Sequence, residues 1–400
     1  MKLFRQFLIA TWIAAFAMMA PSPALAAGDG VSSLYVEEGD SPLLYEGQMP
    51  PGAAEAGTPV QNHLAQQMSA ALDRYLTEWS NLPEVNLPAG STLRPGASGS
   101  RVEALRMRLG LAAGTGFDQD MAERVRLFRQ MHGLSDGTSI DRGMMAALNR
   151  GHAHYAQILA RNLAHAEELP GFLGHRYVMV DLATQQLQMV ENDQVVDTMR
   201  VVAGKPETPT PIMAGLLRHA VFNPYWNVPP DLTQATYARR IINGGNAYLS
   251  RTGFQVVDQF GPDASVIPTG DVDWRAAARG ETQVFLRQRP GAGNGMGDMK
   301  FMFPNALGIY LHDTPSTHLF AENTRLFSAG CVRLERPEDL GLWLYNGMMP
   351  EVGSAPEQIV PLQFPVPIYI GYFTAMPEGD RIAFREDVYS RDVGLPELAL

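Results

Sequence analysis

Gly308-Ile309-Tyr310-Leu311-His312-Asp313-Thr314 and, one loop later, Ser328-Ala329-Gly330-Cys331-Val332-Arg333-Leu334 hold the single cysteine of the 400-residue chain and a histidine upstream of it. The first stretch has the apolar character of a strand and presents His312. The residues between, with Pro315 and several polar positions, read as a loop, after which a Ser/Gly-rich turn presents Cys331. A thiol of ordinary pKa is mostly protonated at neutral pH. A histidine in contact can stabilise the thiolate and later return the proton to a leaving amine. Gly330, just before the nucleophile, permits close backbone approach and can leave N–H groups free for an oxyanion. Ser328 is placed to support that turn. From these residues alone a second reading stays open, with His312 capping a strand and Cys331 as small core filler.

The N-terminus sets the compartment. Lys2 and Arg5 form a positive start, Phe7 to Met19 an apolar run, and Ala24-Leu25-Ala26 a small-x-small cleavage pattern. Residues 1–26 therefore read as a cleavable signal peptide leading to the periplasm. The run is short for a bilayer span, which weighs against an uncleaved anchor. One cysteine permits no internal disulfide, and a lone thiol in an oxidising compartment calls for a purpose. The net charge is −11, and loss of Lys2 and Arg5 makes the mature chain more acidic still. Phosphate binding needs Lys and Arg to displace counterions, so no nucleic-acid partner is expected. No later stretch has the length and apolarity of a transmembrane segment.

Beyond the decisive stretch the periodicity is mostly two. Arg176 to Asp181, Leu187 to Val190, Thr198 to Val202 and Val366 to Tyr372 read as strands, and this half suggests two packed sheets. Before Gly171 the pattern is helical. Leu64, Met68, Leu72, Tyr75 and Trp79 share one helix face. Val102, Leu105 and Leu109 mark another helix, and Phe117, Met121, Val125 and Phe128 a further one, which Gly133 can end. Met144, Met145 and Leu148 mark the next.

These residues carry two resemblances. Leu93-Arg94-Pro95-Gly96, Gly99, Val102, Leu105, Val125 to Gln130, Gly133-Leu134 and Asp136-Gly137 resemble the three-helix peptidoglycan-binding domain, with Arg106 standing where that family usually has Gln. Tyr310 to Thr314 followed by Ser328 to Leu334 resembles the L,D-transpeptidase catalytic domain, also called YkuD, with its histidine, loop and S/T-x-G-C-x-R pattern. Many members have His where Ala329 stands. The large periplasmic subgroup related to YcbB carries a small residue there. Asn223 to Pro230, Val201 to Lys205, Phe285 to Gly291 and Asn294 to Gly297 are also similar to that subgroup.

The resemblance implies an α+β multidomain chain, with a mainly-β L,D-transpeptidase sandwich and a small three-helix peptidoglycan-binding domain. The expected divisions are a lead-in at 27–58, a helical segment at 59–86, the three-helix domain at 87–150, a linking helix at 151–170, the catalytic domain at 171–375 with a mobile cap at 231–275, and a tail at 376–400. It implies Cys331 as nucleophile, His312 as its base, and the amides of Gly330 and Cys331 for the oxyanion. The reaction would release D-Ala from a tetrapeptide stem, and a diaminopimelate amine of a second stem would resolve the thioester into a 3→3 cross-link. Tyr310 and Arg333 become candidates for shaping the pocket, with Trp226 and Asn227 lining the cleft.

Other readings use the same residues. Water, a free D-amino acid or an outer-membrane protein amine could resolve the same thioester, giving a carboxypeptidase, an exchanger or a protein-to-wall ligase. A non-enzymatic wall-binding protein is the alternative from another class. No cofactor or metal is expected: His152 and His154 would diverge on a helix, and no H-E-x-x-H occurs. His318 is a rival base that lacks the flanks of His312.

Overall fold

The computed structural model describes residues 61–83, 87, 90–379 and 381–392. The expected signal peptide and lead-in lie outside the described residues. Helix α1, His63–Trp79, starts where the Asn62 side chain accepts the Ala65 N–H at 2.9 Å. The same side chain donates to Ala166 O at 2.7 Å and so ties α1 to α5, His152–Glu167. Between them stand α2, Ser100–Arg108, α3, Gln119–Met131, and α4, Arg142–Arg150.

Asp118 and Asp141 cap α3 and α4 through the Met121 and Met144 N–H groups. Each cap also receives a buried arginine from the preceding helix. Arg106 Nη1 reaches Asp118 at 2.7 Å, and Arg129 Nη1 reaches Asp141 at 3.0 Å. The remaining guanidinium donors satisfy loop carbonyls, of Ala112 and Gly116 for Arg106 and of Ser135 and Ser139 for Arg129. The two arrangements repeat one another position for position. Gly110 and Gly133 answer to each other too, at φ 73° and 65°. Arg106 thus holds the α2–α3 connection closed.

The helices do not form separate pieces. Tyr75 and Trp79 of α1, Val102 and Leu105 of α2, Met121, Val125 and Phe128 of α3, Met144 and Leu148 of α4, and Tyr155 and Leu159 of α5 share one core. The segment expected as a tail contributes to it. Strands β13, Ala375–Glu378, and β14, Arg381–Phe384, form a hairpin that puts Ala375 and Ile382 into that core. Phe384 packs edge-on against Tyr75 and Tyr155 at centroid distances of 6.0 and 4.8 Å. The residues from 376 onward are therefore not a loose tail as far as they are described: the hairpin is a structural part of the helical unit.

The other half is built on one nine-stranded sheet. In chain order its strands are β1, Arg176–Asp181; β2, Gln186–Glu191; β3, Gln194–Gly204; β4, Met213–Phe222; β8, Met299–Met302; β9, Leu311–His312; β10, Leu326–Ser328; β11, Val332–Leu334; and β12, Gln358–Gly371. The spatial order is β10-β3-β11-β9-β8-β4-β12-β1-β2, and β2 pairs again with β3. The first half of β3 pairs with β2, while its last residues pair with β11 and β10. Where alternation suggests two packed sheets, a single sheet curls over, and β3 belongs to both layers. Val178, Val180, Leu187, Leu217, Phe301, Leu311, Val332, Leu334 and Ile368 fill the inside. Leu340 and Leu344 of α9, Pro337–Leu344, pack into the same core. Outside, Met68 and Ala166 of the helical unit pack on Tyr177, Met179 and Tyr369, which joins the two halves.

A larger unit with its own sheet, termed the cap from here on, contains the segment expected as a cap, 231–275. It begins with β5, Trp226–Val228, and α6, Pro230–Leu232, continues through a π-helical turn at Thr233–Tyr237 into α7, Ala238–Thr252, and includes β6, Phe254–Val257, α8, Trp274–Arg279, and β7, Phe285–Gln288. The three strands form their own sheet in the order β5-β7-β6. Val228, Ile241, Leu249, Val256 and Leu286 give the cap its own core. α7 breaks at Gly245, whose φ of 56° and ψ of −152° lie outside the helical region.

Candidate active site

Register brings the motif residues together. β9 runs parallel to β11 and antiparallel to β8, so that His312 pairs with both Arg333 and Lys300. Leu311, Val332 and Leu334 point into the core. Side chains alternate along a strand, so Tyr310, His312, Cys331, Arg333 and Lys300 share the opposite face. Cys331 stands one residue before β11, and the next amide, of Val332, donates to Tyr310 O at 3.1 Å.

His312 is only 2% exposed. Its Nδ1–H donates to Asp313 O at 2.5 Å, which fixes the tautomer and leaves Nε2 as the basic nitrogen. Burial, with the Arg333 and Lys300 charges, pushes its pKa down to about 3, against the opposing pull of the Asp313 carbonyl. The imidazole is therefore neutral at any pH near 7. Burial likewise pushes the Cys331 thiol up, while the Tyr310 backbone and hydroxyl and the Arg333 and Lys300 charges pull it down. The Tyr310 ring stands edge-on to His312 with centroids 5.7 Å apart. Sγ faces Gly308 O at 3.7 Å and makes no hydrogen bond to the imidazole in this state. Catalytic contacts of this kind often tighten only with substrate present.

The turn before Cys331 is built by hydroxyls. Gly330 has φ 127°, a conformation that a residue with Cβ adopts only under strain. Ser328 is buried, and its Oγ accepts the Gly330 N–H at 3.1 Å. That bond corrects the expectation that Gly330 and Cys331 both offer amides to an oxyanion. The Gly330 amide is engaged by that hydroxyl. Thr210, fully buried, donates from Oγ1 to Gly330 O at 2.7 Å.

Asp313 holds the other side. Its carboxylate accepts the N–H groups of Asp298 at 2.8 Å and Thr314 at 2.6 Å. Gly297, at φ 62°, makes room for it: a Cβ there would lie 2.0 Å from Asp313 Oδ2.

The remaining candidates divide. Arg333 lies on the catalytic face, within electrostatic reach of Cys331 and of Tyr237 from the cap. Its Nε is buried with no hydrogen-bond partner among the described residues. Trp226 is half-buried in the unit around 231–275. It packs edge-on against Tyr237 at 5.7 Å and beside Phe254 at 6.1 Å inside the cap, and closes on Gly295. Asn227 sits on β5 in register with Arg287 of β7, so it belongs to the cap sheet. His318 is exposed on a short 3-10 helix, Thr317–Ala321. Among the described residues no group of three or more His, Cys, Asp or Glu side chains is placed to hold a metal ion, and no helix is long and apolar enough to cross a membrane. Sequence reasoning missed Lys300, Tyr237 and Thr210. Tyr237 and Thr210 lie far from the motif along the chain, and Lys300, twelve residues before His312, joins it only through the β8–β9 pairing.

Comparison with known proteins agrees with this half of the molecule. Residues 175–360 match the family model of the L,D-transpeptidase catalytic domain, YkuD. A curated protein of Haemophilus influenzae named "Putative L,D-transpeptidase" is 27% identical over 256 residues, covering 62% of this chain and 50% of its own. The chain thus spans about half the length of that relative. Among solved structures, an L,D-transpeptidase from Mycobacterium smegmatis is 15% identical over 49% of this chain and 58% of its own, with a TM-score of 0.24. One from Xylanimonas cellulosilytica is 17% identical over 71% of this chain and 99% of its own, with a TM-score of 0.23.

Proposed function

We propose that the chain is a periplasmic, cell-wall-associated L,D-transpeptidase that cross-links peptidoglycan stems through a Cys331 thioester. The observation that carries this reading is the pairing of β9 with β11. It places the chain's one cysteine, on a strained glycine turn, on the same face as a buried, neutral His312 whose tautomer is fixed.

In this reading Cys331 gives its proton to His312 Nε2 as Sγ adds to the carbonyl between diaminopimelate and the terminal D-Ala of a tetrapeptide. The Cys331 N–H stabilises the oxyanion. Collapse breaks the C–N bond, and the imidazolium returns the proton to the departing D-Ala amine. A diaminopimelate amine of a second stem then adds to the thioester and loses its proton to His312, and the thiol is regenerated with a 3→3 link formed. The orphaned Nε of Arg333 suits a stem carboxylate, for which a guanidinium fork has matching geometry. The helical unit would hold the enzyme on the wall, as its resemblance to peptidoglycan-binding domains implies, after export by the 1–26 signal peptide.

Muropeptide analysis after incubation with disaccharide-tetrapeptide tests the acceptor. Free D-Ala with 3→3 dimers, abolished in Cys331→Ala and reduced in His312→Ala, is the expected result. Tripeptide alone would move the reading to trimming by water. Dimers that appear only when a free D-amino acid or a protein amine is supplied would move it to exchange or ligation. Unchanged substrate with retained sacculus binding would leave a wall-binding protein.

A further inference from the structure

A line of hydroxyls joins the C-terminal segment to the turn that carries Cys331. Tyr389 donates its O–H to Gly204 O at 2.6 Å and lies within hydrogen-bonding reach of the Thr210 backbone and hydroxyl. Gly204 N–H donates to Thr210 Oγ1 at 2.9 Å, and Thr210 Oγ1 donates to Gly330 O at 2.7 Å. The turn is held a second time from the same loop, because the Lys205 N–H donates to Ser328 O at 3.0 Å. There is no slack at Gly204: a Cβ there would lie 2.2 Å from Thr208 O and 2.5 Å from Thr210 N. Gly330 is thus gripped from both sides, its N–H by Ser328 and its carbonyl by Thr210.

The far end of this line is anchored in the helical unit. Beyond β14, Arg385 pairs with buried Asp181 of β1. Asp387 accepts the Tyr372 hydroxyl at 2.5 Å and the Arg391 and Asp392 amides at 2.8 Å each. The Tyr389 amide donates to the Tyr372 hydroxyl at 3.0 Å, and Arg161 of α5 donates to Asp392 O at 3.0 Å. Tyr389 therefore rests on a strap fixed at one end by the β13–β14 hairpin and at the other by α5.

We propose that Tyr389 and Thr210 are positioning residues, which set the nucleophile turn through Gly330 and couple its geometry to the helical unit. Neither touches the reacting atoms. They act by keeping the Gly330 peptide in the orientation that aims Cys331 and its amide. The catalytic consequence rests on the thioester reading above; the mechanical link does not.

Full-length Tyr389→Phe, Thr210→Val and Thr210→Ser, compared with the unaltered chain, test it in two measurements. Hydrogen exchange read by mass spectrometry on the peptide spanning residues 326–334 reports the link whatever the chemistry is. Faster exchange there in Tyr389→Phe and Thr210→Val, with the core peptides unchanged and Thr210→Ser restored, is expected. Unchanged exchange at 326–334 in both variants would overturn the proposal, and so would exchange rising equally throughout the molecule.

The second measurement compares acylation of Cys331 by disaccharide-tetrapeptide with its alkylation by iodoacetamide. A lost alignment should slow acylation roughly 10- to 100-fold while alkylation and its pH profile stay put. Acylation at the unaltered rate in both variants would overturn the positioning role. If even the unaltered chain forms no acyl adduct while exchange responds as described, the link stands and the thioester reading falls.

Discussion

At the scale of single residues, the site pairs a neutral thiol with a neutral imidazole. Burial raises the Cys331 pKa and lowers that of His312 to about 3, so a resting thiolate–imidazolium pair is not stabilised. Iodoacetamide alkylation of Cys331 should therefore rise steadily toward alkaline pH. A plateau from pH 5 to 6, the mark of a preformed ion pair, would contradict this electrostatic account. Gly297 offers a second test. An alanine there would need a strained φ and would collide with the Asp313 carboxylate, so Gly297→Ala should cost about 1–3 kcal/mol in chemical denaturation and also slow acylation. Unaltered stability would show that the Asp313 loop yields easily. At this scale the sequence announced His312 and Cys331 as a pair, and the register of β9 with β11 sets them on one face. The fate of the Gly330 amide was not legible, because it depends on the rotamer of Ser328.

At the scale of elements, helix starts and long strands could be read because their causes are local. Asp118 and Asp141 cap helices, a continuous apolar run marks β1, and partial alternation marks β2. The limits of the unit around 231–275 are not legible in the sequence, because β5 and β7 are too short to show a period and what makes them strands is each other. The same pairing places Trp226 and Asn227 on the small sheet, with the Trp226 ring packed against Tyr237 and Phe254. Trp226→Phe should therefore keep acylation within a few-fold of the original rate. A loss as large as that of a substrate-contact residue would return Trp226 to the cleft. In the helical unit the buried Arg106 and Arg129 each join a helix to the cap of the next. Arg129→Ala leaves Asp141 and two loop carbonyls without their donor, and should destabilise the unit by roughly 2–4 kcal/mol. A loss below about 0.5 kcal/mol, read from urea unfolding, would mean that water replaces the guanidinium.

At the scale of the whole molecule, the helical unit and the sheet are one construction. Ile382 of the C-terminal hairpin that completes the helical core lies 215 residues beyond Glu167, the end of α5. No local pattern announces such a contact, which is why residues 376–400 read as a tail. The assembly also carries a pH dependence. His132, stacked on Phe128 at 3.8 Å, and His312 are both buried and both held near 3, against 6.5 for the exposed group. Between those values the unfolded chain binds protons that the folded chain refuses, so stability falls as pH falls through the window. Each group contributes at most about 1.4 kcal/mol per pH unit. Denaturant unfolding from pH 7 to 5 should show this decline. Equal stability at both ends would mean that one or both histidines reach water.

The central claim is that the chain's single cysteine is the acyl acceptor of an L,D-transpeptidase site. Its most direct test is mass spectrometry of the intact protein, followed by its peptides, during reaction with disaccharide-tetrapeptide. The account predicts a transient mass increase equal to the substrate less D-Ala, located on the peptide containing Cys331 and absent from Cys331→Ala. Folded protein that stays unmodified while the substrate is consumed, or an adduct on any other residue, would contradict it.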